Sequence, residues 1–430
     1  MTGQSQPGAF NLTMKYFFAL FVTAISLGAL AAEKLEARDN LFDVQMGGPS
    51  SVPGQVSADS EHRSSFYFPH GIFRLEGYEA FKDKLKREHG LGFGMDYNVL
   101  YQYANPSEGE SNAPSGVFRF YGTWEPLAID QSHPGSLVYK IEHRHSLGDN
   151  IAPKQLGGEV GYAGLTAVTF SDTGYLLTNL YWAQNFNDNQ FAYVIGQVDV
   201  TDYVDIYGLV NIWTEFNNLA FTTNPTIPAP DQGLGAAARW TIDNNYYVLA
   251  GFADANGDPG KPLDGFDTFF KDREYVKHLE FGWAGSWENH FTDNIHLTLW
   301  QMDELEQADV PDGWGTAFSF SREFGHWLPF LRMGYGDGGG AILDRSISTG
   351  FGYSARGGSD RFSLGLNWGR PNDDIYGENK DDQYTIESYY RMQVTKRLQV
   401  TPDIQLLFNP ALNPEQDLVW VLGLRARLAF

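Results

Sequence analysis

The sequence lacks cysteine altogether, and this absence removes several classes of protein from consideration. A chain without cysteine has no disulfide framework, no thiol nucleophile and no Cys-ligated zinc site. Basic residues are scarce as well, since 30 Lys and Arg stand against 53 Asp and Glu and leave a net charge of −23. Nucleic-acid binding depends on clustered Lys and Arg, so we exclude nucleic acid as a partner.

Long apolar runs are also missing from most of the chain, whose mean hydropathy is −0.34. The longest run covers residues 16–30, and its length of about 15 residues falls short of the roughly 20 that a membrane-spanning helix needs. Lys15 precedes this run, and Ala29 and Ala31 have the spacing of a signal-peptidase site. We therefore predict a signal peptide that is cleaved before Ala32, rather than an uncleaved anchor, and no transmembrane helix.

The N-terminal fifth of the sequence divides into three parts before regular strands begin. Residues 1–31 combine an uncharged upstream extension with the signal peptide, and translation starts at Met1 or Met14. Residues 32–65 are rich in Gly, Pro and Ser and are expected to form a flexible N-terminal segment. Residues 74–88 carry apolar side chains at helical spacing and end before a glycine, which predicts an amphipathic helix within a domain spanning 66–430.

From Leu91 the period of the pattern changes to two. Apolar and aromatic residues alternate with small or polar ones over about 13 residues, longer than the roughly 5–6 residues of a soluble strand. A tilted membrane strand of about 9–11 residues fits this length better. Sixteen segments share the pattern: 91–104, 115–127, 135–144, 176–187, 190–198, 233–241, 245–253, 278–288, 294–302, 313–323, 327–335, 346–355, 361–369, 382–394, 398–408 and 417–430.

The connections between these segments alternate between short turns and long loops, as in outer-membrane barrels. The predicted fold class is therefore all-β: a transmembrane antiparallel β-barrel of about 16 strands with an N-terminal amphipathic helix. Residues 199–232 form an aromatic-rich loop in which a helix capped near Thr201 is expected. Because so many aromatic residues suit solvent poorly, we predict that this loop folds into the barrel as a helical constriction loop.

Charges of both signs fall on the predicted inner face in nearly equal number. They are Arg119, Lys140, Arg144, Arg239, Arg332, Arg391, Arg425 and Arg427, with Asp96, Glu125, Glu142, Glu280, Glu387 and Asp403. A lumen nearly balanced in sign does not strongly select phosphate or simple cations, but paired guanidinium and carboxylate groups offer donors and acceptors to neutral polyhydroxyl ligands. The alternative is that these charges only pair across strands and hold the wall together.

The candidate sugar-binding residues follow from this inner face. Arg119, Glu142 and Arg144 lie on adjacent predicted strands, and Arg239 follows the constriction loop. Trp213 is the candidate for stacking on the apolar face of a sugar. We predict no catalytic residue, no metal site and no cofactor.

Several segments carry a resemblance to a known family. They are IGQVDVTDYVD (195–205), FNNLAF with the following NPTIPAPDQGLGA, and the C-terminal FNPALNPEQDLVWVLGLRARLAF (408–430). From about Phe66 onward the chain resembles the carbohydrate-selective porins of the OprB family. The resemblance implies a sixteen-stranded barrel in the outer membrane of a Gram-negative bacterium that passes monosaccharides by facilitated diffusion. Small sugars, outer-membrane lipid and the outer-membrane insertion machinery are the expected partners, and a homotrimer is compatible with the sequence.

Two other functions remain as alternatives to this one. A general non-selective porin would have the same strand pattern. An outer-membrane barrel enzyme would need a nucleophile close to a histidine, but His143, His145 and His296 stand apart and no G-x-S-x-G motif occurs. The sequence therefore favours a channel over an enzyme.

Overall fold

The structure is a computed structural model that describes residues 46–61, 75–125, 135–187, 190–243, 245–286 and 290–430. Sixteen strands account for about half of the described residues. They are β1 (Leu91–Asn105), β2 (Asn112–Trp124), β3 (Gly135–Ser146), β4 (Gly174–Phe186), β5 (Phe191–Val198), β6 (Gly233–Ile242), β7 (Tyr246–Asp254), β8 (Tyr275–Ala284), β9 (Asn294–Met302), β10 (Gly313–Ser321), β11 (Trp327–Gly338), β12 (Leu343–Ala355), β13 (Asp360–Pro371), β14 (Gln383–Gln393), β15 (Leu398–Phe408) and β16 (Leu418–Ala429).

The strands close into one barrel. Each strand pairs antiparallel with the next, and β1 closes the ring by pairing with β16, where Tyr97 lies opposite Leu428 and Tyr103 opposite Leu422. Closure leaves no strand edge with unpaired backbone groups, which is the condition for a sheet to exist in hydrocarbon. The predicted fold class, a sixteen-stranded antiparallel barrel, is confirmed.

The side-chain alternation decides which face is outside. In β1, Asp96, Asn98 and Gln102 are buried in the interior, whereas Tyr101 on the other face is exposed. Large apolar side chains such as those of Ile195 and Trp240 are more than half exposed on the outer surface. The barrel is therefore apolar outside and polar inside, as a lipid-facing wall requires.

The connections differ in length at the two ends of the barrel. At one end β10 joins β11 through a short turn at Gly325, whose φ of 63° suits glycine. At the other end residues 147–173, 199–232 and 255–274 form long loops. Short turns face the periplasm in outer-membrane barrels, which orients the chain.

The helices are short, apart from two near the N-terminus. They are α1 (Val52–Glu61), α2 (Glu76–His89), α3 (Pro153–Glu159), α4 (Leu219–Thr222), α5 (Gly265–Asp267) and α6 (Asp373–Tyr376), with 3₁₀ turns at Val200–Asp202 and Arg356–Gly358 and a π turn at Thr268–Asp272. Among the described residues, no helix has both the length and the apolar character needed to cross a membrane.

Helix α2 is the amphipathic helix expected over 74–88. It ends at Gly90, whose left-handed φ of 65° lets its N–H reach the last carbonyls of the helix. Lys82 Nζ donates to the carbonyl oxygen of Phe430 at 3.2 Å, and Arg397 bonds Glu79 Oε1 at 2.9 Å. The helix therefore packs at the periplasmic end of the barrel, beside the last residue.

The predicted signal peptide and the cleavage site before Ala32 lie outside the described residues. Within the segment expected to be flexible, the structure describes residues 46–61, which form a turn followed by α1. This part lies inside the barrel, where Val52 and Gln55 are each 1% exposed. We call residues 46–61 the lumen segment.

Candidate functional site

Residues 199–232, the constriction loop, lie inside the barrel as predicted. Tyr207, Phe216 and Phe221 are completely buried. The ring of Tyr207 packs 5.1 Å from that of Phe330 on β11, and the ring of Phe216 meets that of Tyr389 on β14 edge-on at 5.0 Å. The aromatic side chains, which would suit solvent poorly, thus pack the loop against the inner wall.

Helical structure in the constriction loop is limited to two short stretches. Asp199 Oδ1 accepts from the N–H of Thr201 at 3.0 Å and caps the 3₁₀ turn, so the helix expected near Thr201 is a single turn. Asn218 caps α4 in the same way. Elsewhere the wall supplies partners for the backbone: Glu387 on β14 accepts from the N–H groups of Asn217 and Asn218 at 2.7 and 3.0 Å. Backbone groups satisfied by the wall do not need a helix.

Loop carboxylates neutralise much of the basic inner wall. Glu215 forms ion pairs with Arg391 and Arg361, and its backbone carbonyl accepts from Arg425 Nη2 at 2.6 Å. Although burial opposes ionisation, Arg391 and Arg361 outweigh it and hold the pKa of Glu215 below its ordinary value. Because Glu215 lies in the constriction loop, a count of the charged residues on the strands alone leaves it out.

A second loop carboxylate acts on the neighbouring stretch of wall. Asp205 forms an ion pair with Arg332 on β11, and its Oδ1 lies 3.0 Å from His296 Nε2 on β9. Burial alone would raise the pKa of Asp205, but Arg332 and His296 lower it overall. The N–H of Asp205 donates to Glu280 Oε2 at 2.8 Å. His296, which looked isolated in the sequence, is thus a structural partner of the loop.

Three of the predicted site residues lie together. Arg119 on β2 faces Glu142 on β3 in the strand register, and Arg144 Nε donates to Glu142 Oε2 at 2.7 Å. Lys140 Nζ lies 3.8 Å from the other carboxylate oxygen of Glu142. Arg119 Nε donates to Asp96 Oδ1 on β1 at 2.8 Å. The inner wall of β1 to β3 is therefore a continuous row of alternating charges.

The other two predicted residues are placed differently. Trp213 lies within the constriction loop and is 1% exposed, with its indole stacked against the Arg119 guanidinium. Arg239 on β6 lies three strands along the wall from Glu142 and faces Ala192 and Leu249 in the ladder. The structure thus brings Trp213 to the β1–β3 wall and leaves Arg239 on a separate part of the lumen.

Asp202 of the constriction loop lies beside the same charged wall. Its Oδ2 accepts from Asn179 Nδ2 on β4 at 3.1 Å. Burial, partly offset by Lys140, raises the pKa of Asp202 to about 7. Asp202 is therefore a carboxyl group that changes its charge near neutral pH.

Small cavities border the constriction loop and the lumen segment. Two cavities of about 20 Å³ lie there, one lined by Met46, Gly47 and Asp202 and the other by Asp205, Thr222 and Arg332. A volume of this size holds about one water molecule, not a sugar.

Comparison with known proteins decides the family. The family model described as "Carbohydrate-selective porin, OprB family" matches residues 162–430, which is more than half of the chain. The chain belongs to this OprB family of carbohydrate-selective porins. The matched region includes the constriction loop and every strand from β4 to β16.

Similar proteins agree with the OprB family assignment. Porin AaxA of Chlamydia abortus is 20% identical over 360 residues, covering 81% of this chain and 79% of that protein. Porin AaxA of Chlamydia trachomatis serovar D is 22% identical over 400 residues with the same coverage. The high-pH structure of Pseudomonas putida OprB superposes with a TM-score of 0.64 at 15% identity, covering 86% of this chain and 99% of that one. At this identity the structural likeness establishes the fold.

The OprB family and the closed barrel place the chain among outer-membrane channels of Gram-negative bacteria and among proteins of carbohydrate transport. The histidines considered for an enzyme fit this assignment. His143 and His145 lie on the outer side of β3 with their rings 5.2 Å apart, and His145 Nε2 bonds the hydroxyl of Tyr97 at 3.0 Å. Neither points toward the charged row in the lumen.

Proposed function

We propose that the chain is an outer-membrane porin that mediates passive, facilitated diffusion of monosaccharides into the periplasm. The observation that carries this proposal is the charged row of β1 to β3, in which Asp96, Arg119, Glu142 and Arg144 alternate in sign. Arginine supplies only donors and ionised glutamate only acceptors, whereas a sugar hydroxyl is both. The row therefore suits a neutral polyhydroxyl solute that loses water in a narrow pore.

The sugar-contacting residues that we propose are Arg119, Glu142, Arg144, Arg239 and Trp213. Glu142 and Arg144 are the strongest candidates, because Glu142 Oε1 has no hydrogen-bond partner among the described residues, although Lys140 Nζ lies 3.8 Å away. The indole N–H of Trp213 likewise has no partner among the described residues, so Trp213 offers a donor even though the Arg119 guanidinium covers one face of its ring. Binding must stay weak, since a tight site would block the flux that it supports.

Export and assembly complete the proposal. We infer that residues 1–31 are removed, that the outer-membrane insertion machinery places the barrel in the lipid, and that no catalysis takes place on it. A homotrimer is the assembly that we would test first, by native mass spectrometry in detergent. The outer apolar wall, with Trp240 and Leu424 more than half exposed, supports contact with lipid or with a second barrel.

Swelling of proteoliposomes tests the transport function. The purified mature chain is compared with a non-selective porin of matched KCl conductance, using glucose and the disaccharide maltose as solutes. A selective monosaccharide channel gives a higher ratio of glucose to maltose swelling than the matched porin does. Equal ratios would favour the general-porin alternative. No swelling with either solute, in a preparation that conducts KCl, would contradict sugar transport.

A further inference from the structure

The lumen segment is not part of the barrel wall, yet it fills space inside it. Helix α1 lies against β1, β2 and β3. Met46 and Val52 belong to one buried apolar cluster with Tyr181 on β4, Val194 on β5 and Val204 of the constriction loop. The segment therefore occupies the lumen between the charged row and the constriction loop.

One carboxylate fixes the helix of this segment to the wall. Asp59 Oδ1 lies 2.8 Å from Arg427 Nη2 on β16, and the hydroxyl of Tyr121 on β2 donates to Asp59 Oδ2. Arg427 Nε also donates to Asp96 at 2.7 Å, and Asp96 takes Arg119 as its second partner. Two arginines thus face two aspartates, and removal of Asp59 would leave a buried positive charge unbalanced.

The other end of the segment is attached to the constriction loop. The N–H of Gly48 donates to the carbonyl of Asp202 at 2.8 Å, and Asn211 Nδ2 donates to the carbonyl of Pro49 at 2.9 Å. The cavity lined by Met46, Gly47 and Pro53 has a volume of about 20 Å³. This cavity, which lies between the segment and strands β4 and β5, holds about one water molecule.

We propose that residues 46–61 are a plug that closes this side of the pore, and that Arg427 and Tyr121 form the binding site for its Asp59 carboxylate, with Arg427 held in place by Asp96. Displacement of the segment opens the lumen and exposes the charged row of β1 to β3. The attachments are a few hydrogen bonds, one ion-pair cluster and the apolar contacts of Met46 and Val52, and local opening can break them without unfolding the barrel. This proposal concerns ions as well as sugars and does not depend on monosaccharide selectivity.

Single-channel recording in KCl tests the plug without any sugar present. The mature chain is compared with a variant lacking residues 46–61 and with Asp59→Asn. The deletion is expected to raise the conductance severalfold. Asp59→Asn should raise the open fraction about tenfold, since a hydrogen bond to a charged group is lost. Asp83→Asn on the exposed face of α2 is the matched control and should behave as the parent.

A disulfide provides a test in which nothing is removed. A side chain at Gly48 would place its Cβ 3.1 Å from the Cβ of Ile206. Disulfides have Cβ–Cβ distances of about 3.5–4.5 Å, so a shift of a few tenths of an ångström brings the two positions into range. Because the chain has no cysteine, Gly48→Cys with Ile206→Cys forms a single defined cross-link. The oxidised protein should stay in the low-conductance state, and dithiothreitol should restore openings. Equal conductance of the oxidised and reduced forms would overturn the plug. So would equal conductance of the parent and a correctly inserted deletion.

Discussion

The guanidinium of Arg119 lies over the indole of Trp213, with its central carbon 3.8 Å from the ring centroid. At this distance the cation is attracted by the face of the ring, and the contact ties the constriction loop to the inner wall of β2. The same arginine is bonded to Asp96 on β1. One side chain therefore joins three elements of the lumen, and the face of Trp213 that it covers is not available to a sugar in this arrangement.

This contact predicts the effect of shortening Arg119. Arg119→Ala leaves Asp96 with Arg427 as its one remaining arginine partner and removes the cation from Trp213. We expect the loop to loosen and single-channel current noise to increase, while the barrel still shifts on a gel after heating. Arg322→Ala, at an exposed arginine of a periplasmic turn, is the control. Parent-like noise in Arg119→Ala would mean that the stacking does not hold the loop.

Removing a loop carboxylate should destabilise the folded barrel. Glu215→Gln leaves Arg391 and Arg361 without their buried anion, and breaking a buried ion pair costs about 3–5 kcal/mol. The control is Asp303→Asn, whose partly exposed pair with Lys277 is worth about 1 kcal/mol or less. Urea unfolding followed by the heat-modifiable gel shift measures both variants. A loss no larger for Glu215→Gln than for the control would contradict the assigned role.

Asp202 predicts a pH dependence of stability. Its pKa in the folded protein is about 7, above the ordinary value near 4 of an unfolded aspartate. The folded state therefore holds a proton that the unfolded state releases, and stability falls as pH rises from about 4 to 7. The largest slope is about 1.4 kcal/mol per pH unit.

Asp202→Asn isolates this contribution, since asparagine stays neutral. The quantity to measure is the unfolding free energy of the variant minus that of the parent. This difference should rise between pH 4 and pH 7 and stay constant above pH 7. Lys140, Asp199 and Glu142 act electrostatically on Asp202 and are present in both proteins. A difference that does not vary with pH would show that Asp202 ionises normally.

The constriction loop should control the size of the pore. Deleting residues 206–219 removes the aromatic side chains that pack against Phe330 and Tyr389, together with Trp213 and Glu215. We expect a higher KCl conductance and weaker exclusion of large solutes, measured in planar bilayers and by liposome swelling. The heat-modifiable gel shift checks folding. Unchanged conductance in a folded deletion would refute the assignment.

The last residue should affect membrane insertion. The N–H of Phe430 donates to the carbonyl of Met95 at 2.8 Å, and the N–H of Met95 returns a bond at 3.2 Å, which extends the β1–β16 ladder at the periplasmic end. Removing Phe430 should lower the yield of barrel in the outer membrane and increase periplasmic degradation. Phe362→Ala on the outer face of β13 is the control. Undiminished levels of heat-modifiable barrel would exclude a role for Phe430 as an assembly signal.

The sequence predicted the strands of the barrel wall much better than the contacts of the constriction loop and the lumen segment inside it. Strand alternation is a local pattern with a fixed period, so β1 to β16 could be located from residues such as Leu91 and Phe408 without any tertiary information. The contacts of Arg119 and Glu142 also follow from parity on neighbouring strands. The contacts that the constriction loop and the lumen segment make with the wall do not follow from parity. Glu215 meets Arg391 across 176 positions, and Asp59 meets Arg427 across 368, and no local spacing reports such pairs.

Sugar block of the single-channel current tests the central claim most directly. Glucose is titrated against the mature chain, Glu142→Ala, Arg144→Ala and the control Arg322→Ala in the same KCl solution, with plug-deleted versions in parallel. The charged row predicts saturable block in the parent and the control and its loss in both lumen variants, because each lost hydrogen bond to a charged group is worth roughly 1.5–3 kcal/mol. Parent-like block and sugar preference in both Glu142→Ala and Arg144→Ala would contradict the account and leave these charges with a structural role alone.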